Sequence, residues 1–182
     1  MAALAPASNL TGFIDNLRDV SVGSLFAAYV LNAYAANYPD VSVGAYARPG
    51  GAPLIEGIGE RCLSEPAVLA SAATSVATGF SVFKGDIVAG ALGERLEENI
   101  PRGGIDLPVF VGQGGADPLV GPDAQADYVE SRCADGQPID YRVYEGLGHV
   151  SLVEADSPAM VELVEWTSAR FAGDPPTPTC GT

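Results

Sequence analysis

Two polar residues, Asp117 and His149, each follow a short apolar segment that ends in a glycine-rich turn. The segments at 107–113 and 139–144 have the length and apolar content of buried parallel strands. Because the carboxyl ends of parallel strands lie at one edge of an open sheet, we expect the two turns to be neighbours there. A carboxylate that accepts a hydrogen bond from an imidazole orients the ring and stabilises its protonated form. The sequence therefore predicts the acid and the base of a nucleophilic triad.

The spacing of these two residues is consistent with that prediction. They are 32 residues apart, which leaves room for one helix, predicted at 122–134, and one strand, predicted at 139–144. Gly136 follows the helix and can supply its left-handed C-terminal cap. His149 is the only histidine of the chain, so a histidine base supplied by this chain must be this residue.

Both residues also have plainer interpretations. Asp117 precedes a proline and could simply form a turn, and a lone histidine is usually structural or exposed. Glycines at 146 and 148 give the histidine loop the freedom to direct its ring toward the sheet edge. Asp123 is the alternative acid, but it lies at a helix start, where its charge complements the helix macrodipole.

A long segment separates the first predicted strand, at 1–6, from the strand at 107–113. Residues 11–104 are far too many for a normal crossover between sheet strands, which indicates a cap insertion. Its apolar periodicity and its proline starts predict helices at 22–38, 53–61, 66–76 and 91–99. The longest of these helices is too short and too interrupted to span a bilayer, so no stable membrane insertion is expected.

The last helix is predicted to begin at Ser157, as N-cap, with Pro158 in its first turn, and to stop at Gly173. Helical spacing predicts a face that packs on the sheet, formed by Met160, Leu163, Val164 and Phe171. Glu162 and Glu165 are expected to point away from the sheet.

Composition restricts the classes of partner. The net charge of −14 argues against nucleic acid and anionic membrane surfaces, and it is compatible with a neutral substrate. High acidity also serves the solubility of an exported protein, which is the plainer interpretation. Three cysteines are too few for a disulfide scaffold and show no metal-ligand spacing. One hypothesis joins Cys133 to Cys180 and leaves Cys62 for a partner outside this chain; other pairings stay open.

Several of these segments together resemble a known family. They are the pattern Pro-Val-Phe-Val-Gly-x-Gly-x-x-Asp-x-x-Val at 108–120, Cys-Ala-Asp-Gly at 133–136, the strand at 139–144, the pair Gly148-His149, and the segments at 2–10 and 166–173. Their order is similar to the last third of an α/β-hydrolase, in which nucleophile, acid and histidine follow one another along the chain. The details look most like the secretory lipase family of fungi and actinobacteria.

The resemblance implies an α/β protein with a partial α/β-hydrolase fold. Residues 1–10 and 105–182 would form the last strands of a parallel sheet with flanking helices, and 11–104 a mainly helical cap. It implies a secreted carboxylic ester hydrolase, a triacylglycerol lipase, with Asp117 as acid and His149 as base. Lipids or small esters would be substrates, and neither a metal nor an organic cofactor is implied.

One element of the family pattern has no counterpart, because Gly-x-Ser-x-Gly occurs nowhere in the sequence. Ser24 lies in a helical pattern without the second glycine, and Ser8 follows a strand without a glycine elbow. We therefore expect the C-terminal portion of a longer enzyme, inactive alone, with the serine in a missing N-terminal half. The alternative is a non-catalytic module that binds an apolar ligand or such a complementary half.

Overall fold

The computed structural model describes residues 1–180. Its strands and helices, in chain order, are β1 (Ala2–Leu4), α1 (Leu10–Asn16), α2 (Gly23–Asn37), α3 (Val43–Tyr46), α4 (Ala52–Gly59), α5 (Val68–Thr78), α6 (Gly90–Glu98), β2 (Val109–Gly114), α7 (Pro122–Ala134), β3 (Ile139–Tyr144) and α8 (Pro158–Ala172). Short 3-10 turns lie at Leu17–Asp19, Gly79–Val82 and Ser151–Val153. The chain divides into two compact units: one contains Met1–Phe13 and the chain from Ile100 onward, and the other is Ile14–Asn99.

The three strands of the first unit form a parallel sheet in the order β1-β2-β3. The central strand β2 is buried throughout, as expected for a parallel strand covered on both faces. In register, Ala2 lies opposite Phe110, and Gly114 lies opposite Tyr144. The strands at 107–113 and 139–144 were thus predicted within two residues. Strand β1 is shorter than predicted because Ala5 has a φ of +41°, which is not a strand conformation.

Side chains of β2 alternate between two layers of helix, as the period of two in a strand requires. Val109 and Val111 pack with Ile139 and with Val129 of α7 on one face. On the other face Phe110 packs against Trp166 of α8, with 5.6 Å between ring centroids. The sheet is therefore the middle layer of this unit.

The chain after α8 runs along the outer edge of β3. The Thr179 backbone N–H donates to the Ile139 carbonyl at 2.8 Å, and the Tyr141 N–H donates to the Thr179 hydroxyl at 2.9 Å. A disulfide joins Cys133, at the end of α7, to Cys180, with 5.5 Å between Cα atoms. The pairing offered as a hypothesis is therefore present, and Cys62 is free and exposed.

The packed face of α8 differs from the predicted one. Val164 is 61% exposed and Phe171 is 90% exposed, whereas Ala159 and Trp166 are buried. Glu162 was expected in solvent, but it accepts hydrogen bonds from Arg142 at 2.7 Å and from the Tyr144 hydroxyl at 2.9 Å, both on β3. The prediction was wrong because it followed hydrophobic periodicity and took no account of a cation on the neighbouring strand.

The contact between α8 and β3 is electrostatic as well as apolar. Asp140 is buried and forms two hydrogen bonds with the Arg142 guanidinium, at 3.0 and 2.9 Å. The hydrogen bond from Arg142 lowers the pKa of the Glu162 carboxyl, while burial raises the pKa of the Tyr144 phenol. The same arginine stacks over the Phe110 ring at 5.2 Å. Arg142 thus connects the sheet to α8.

The second unit is helical, as predicted for the inserted segment. Its central helix α2 corresponds to the helix predicted at 22–38, and it buries Leu25 and Leu31. Helices α4, α5 and α6 lie within about two residues of the predicted ones. No helix in the described part of the chain combines the length and apolarity needed to cross a membrane.

Candidate active site

The turns after β2 and β3 are joined to each other by backbone hydrogen bonds. The Gly115 N–H donates to the Tyr144 carbonyl at 2.9 Å, and the Ala116 N–H donates to the Leu147 carbonyl at 2.9 Å. These bonds hold the two turns side by side at the carboxyl edge of the sheet. A β-carbon at Gly114 would lie 2.4 Å from the Leu147 carbonyl oxygen, so only glycine permits this approach.

The structure brings Asp117 and His149 into direct contact at this edge. The Nδ1 atom of His149 lies 2.8 Å from Oδ2 of Asp117. The carboxylate side chain is 0% exposed, and the imidazole side chain is 38% exposed. Because a carboxylate only accepts hydrogen bonds, Nδ1 is the donor of this contact, and in the neutral ring Nε2 carries the lone pair. Nε2 is then the nitrogen that can accept a proton.

Asp117 has two functions in its turn, one for each oxygen. Its Oδ1 accepts hydrogen bonds from the backbone N–H groups of Leu119 at 2.8 Å and Val120 at 3.0 Å. Its Oδ2 is then available to His149. The turn-forming interpretation of this residue is therefore correct, and it is compatible with a role as acid.

Hydrogen bonds within the loop that carries His149 fix its conformation. Gly146 has a φ of +77°, which favours glycine, whereas Gly148 has no such requirement. The Gly148 N–H donates to the Ser151 hydroxyl at 2.8 Å, and the Leu152 N–H donates to the Gly148 carbonyl at 3.0 Å. The loop thus closes into the 3-10 turn that follows.

A model of the secretory lipase family matches residues 1–179. The chain belongs to the secretory lipase family.

Two solved structures are similar to this secretory lipase chain. It aligns with the X-ray structure of Candida antarctica lipase A at a TM-score of 0.72 and 18% identity, covering 100% of this chain and 43% of that one. The structure of the same lipase in its closed state gives 0.74 and 18%, with 100% and 44% coverage. These matches confirm the predicted α/β-hydrolase fold, and the chain spans less than half the length of either structure. No curated protein matches the sequence.

The other polar site candidates of this secretory lipase chain lie where a structural role explains them. Asp123 lies in the first turn of α7, as its alternative interpretation predicted. Ser8 is buried and donates to the Oε1 atom of Gln125 at 3.0 Å. Within residues 1–180 no group of three or more His, Cys, Asp and Glu side chains could hold a metal ion.

Sequence reasoning missed two residues that shape the site. Ser151 is the serine that holds the loop of His149, and its only signal is its position two residues after the histidine. Gln113 is a fully buried amide at the end of β2, next to Asp117. Its signal was a polar side chain within an otherwise apolar strand.

Proposed function

We propose that this chain supplies the acid and the base of a serine ester hydrolase, a secreted lipase. The observation that carries the proposal is the 2.8 Å contact between the buried Asp117 carboxylate and Nδ1 of His149 at the carboxyl edge of the sheet. Family membership supports the reaction class, since it is a family of lipases.

The chemistry follows from the positions of the two side chains. A serine hydroxyl supplied by polypeptide outside these 182 residues attacks the ester carbonyl, and Nε2 of His149 takes its proton. Asp117 stabilises the imidazolium that forms. The proton then passes to the departing alcohol, and the same nitrogen activates the water that hydrolyses the acyl-enzyme. A neutral ester suits a chain with a net charge of −14.

The proposed core and cap have the residue limits predicted from the sequence. Residues 1–10 and 105–182 belong to the hydrolase core, and residues 11–104 form the cap insertion. The entry of this helical segment between β1 and β2 supports that assignment. Secretion is supported by the family and by the Cys133–Cys180 disulfide, since such bonds persist in oxidising compartments.

The proposed partner is an N-terminal half that carries the nucleophile. Among the described strands β1 pairs on one side only, although strands of a parallel sheet are normally paired and covered. At the amino ends of β1 and β2 lies an apolar groove of about 510 Å³ with exposed Met1, Leu107 and Phe171. The aligned lipase structures are more than twice as long as this chain, which supports a partner of similar size.

The test joins this chain to the polypeptide encoded directly upstream, provided that the reading frame contains Gly-x-Ser-x-Gly. We expect the joined protein to hydrolyse a p-nitrophenyl ester and the 182-residue chain alone to be inactive. His149→Ala and Asp117→Asn should remove the activity of the joined protein, whereas Asp123→Asn should leave it. Turnover by the isolated chain that is lost in His149→Ala would contradict the need for an outside serine.

A non-catalytic module is the second candidate function. It is favoured by an apolar cavity of about 300 Å³ in the first unit, lined by residues such as Ala3, Val111 and Ile139. The isolated chain would then bind an apolar fluorescent probe, and Ala3→Trp would displace it. No esterase activity in the joined protein, combined with tight probe binding, would favour this candidate.

A further inference from the structure

Gln113 is a polar side chain in the most buried strand of the protein. It is 0% exposed, and its Oε1 atom is buried without a hydrogen-bond partner among residues 1–180. An unpaired buried polar atom is unfavourable, so an apolar residue would serve better here if packing were the only requirement. Phe110 and Val111, which are buried in the same strand, follow that rule. The amide therefore needs another explanation.

The other end of the amide faces three oxygen atoms of one turn. Its Nε2 donates to the Val120 carbonyl at 2.9 Å and to the Gly114 carbonyl at 3.1 Å, and it lies 3.4 Å from Oδ2 of Asp117. A flipped amide would place Oε1 against the same three acceptors, so chemistry requires the nitrogen in this position. One side chain thus connects the first and last residues of the turn that carries Asp117.

The same amide nitrogen also lies against the Asp117 carboxylate, 3.4 Å from Oδ2. Oδ1 accepts from the backbone of Leu119 and Val120, while Oδ2 faces His149 and the Gln113 amide. Rotation about the bond to an aspartate carboxylate is soft, so the Gln113 amide beside Oδ2 adds to the restraint from the two hydrogen bonds to Oδ1. Without the Gln113 amide, the carboxylate can rotate while Oδ1 stays near its backbone donors. The imidazole then loses its fixed acceptor.

We propose that Gln113 is a positioning residue, which holds the Asp117 turn so that Oδ2 stays opposite Nδ1 of His149. This inference rests on the proposed function, since positioning matters only if the pair does chemistry. Gln113 is four residues before Asp117 in sequence and is fully buried, so it has no solvent-exposed atom to offer a substrate. Its effect passes through Asp117 to the imidazole.

The lone histidine makes the test direct, because its ring gives one pair of ¹⁵N signals in the whole chain. We measure these shifts under alkaline conditions that keep the ring neutral. The wild-type chain should show a protonated Nδ1 and a bare Nε2. In Gln113→Met the two shifts should move toward each other as the tautomers mix. In Gln125→Met they should stay as in wild type.

Gln125 is a matched control because it is also a buried glutamine, 1% exposed, with one unpaired amide atom. Its partner is Ser8, not Asp117. A folded Gln113→Met chain with wild-type ring shifts overturns the proposal. Gln113→Asn, which keeps the amide but shortens it by one methylene, should mix the tautomers as well, and unchanged shifts in that variant are equally decisive.

Two further measurements complete the test. In the wild-type chain the side-chain amide protons of Gln113 should exchange at least a hundredfold more slowly than those of an exposed glutamine, and free exchange would overturn the inference. In the joined esterase Gln113→Met should lower kcat about ten- to a hundredfold with little change in KM. Asp117→Asn distinguishes failure of the proposed function from failure of the positioning role. If Asp117→Asn leaves the ring shifts unchanged, the proposed function fails. If Asp117→Asn changes them and Gln113→Met does not, only the positioning role fails.

Discussion

Removal of the Cys133–Cys180 disulfide should destabilise the sheet-containing unit. The two cysteines are separated by 47 residues, and the chain-entropy relation for a loop of this length gives about 4 kcal/mol. Disulfides commonly contribute less than this relation predicts, because the reduced chain keeps some structure. We therefore expect Cys133→Ala/Cys180→Ala to lower the free energy of unfolding by about 3 kcal/mol. The hydrogen bonds of Thr179 along β3 should weaken with it.

The protein contains its own reporter for this experiment. Trp166 is the only tryptophan, and it is buried against Phe110 in the same unit. Urea unfolding followed by its fluorescence therefore measures the stability of the sheet unit. Cys62→Ser, which replaces the free and exposed cysteine, is the control and should unfold as wild type does.

A reducing agent gives the complementary arm of this test. It should lower the stability of the wild-type chain and of the Cys62 variant, and it should leave the double variant unchanged. A double variant within about 0.5 kcal/mol of wild type would refute the reasoning, since so small a change is typical of an ordinary surface substitution.

Three further predictions concern other parts of the molecule. Gly114→Ala should destabilise the sheet unit by about 2–3 kcal/mol because its β-carbon would meet the Leu147 carbonyl. Gly104→Ala has open space around it and should be neutral in the same urea assay. The pKa of Glu162 is lowered in the folded chain, so the stability from its bond with Arg142 is present above the ordinary value of 4.5 and is lost as the pH falls through the lowered pKa. Glu162→Gln should therefore reduce the loss of unfolding free energy at acidic pH. The difference should be less than about 1 kcal/mol because the carboxylate is partly exposed. An unchanged pH dependence would contradict the assignment. The isolated chain should self-associate through the free edge of β1, and a single monomeric species in concentrated solution by sedimentation velocity would count against that expectation.

The sequence was most informative where structure is local. Strand β2 is largely apolar, β3 alternates apolar with charged residues, and each ends in a glycine turn, so their alignment and the meeting of Asp117 with His149 follow from a short stretch of chain. The cap helices were found because prolines and glycines mark their ends. The catalytic role of the pair and the domain limits stay predictions.

The parts that failed depend on contacts distant in sequence. Nothing in α8 alone indicates that Glu162 faces the sheet, because its partner Arg142 lies 20 residues earlier on another element. Gln113 was passed over for a different reason, since its partner Val120 is only seven residues away but lies in a turn whose conformation periodicity does not predict. Hydrophobic periodicity identifies apolar faces, and it does not detect buried polar pairs.

The position of the long insertion has a consequence for the order of folding. Strands β2 and β3, with α7 between them, form a βαβ unit of fewer than 40 residues, which contains the Asp117 turn and leads directly into His149. Pairing of β1 with β2 instead requires closure of a loop of about 100 residues, which has a larger entropic cost and is slower. We therefore expect the acid and the base to meet early, while β1 joins last. Changes of length in the intervening helices would then alter the final step of assembly and leave the nascent pair untouched.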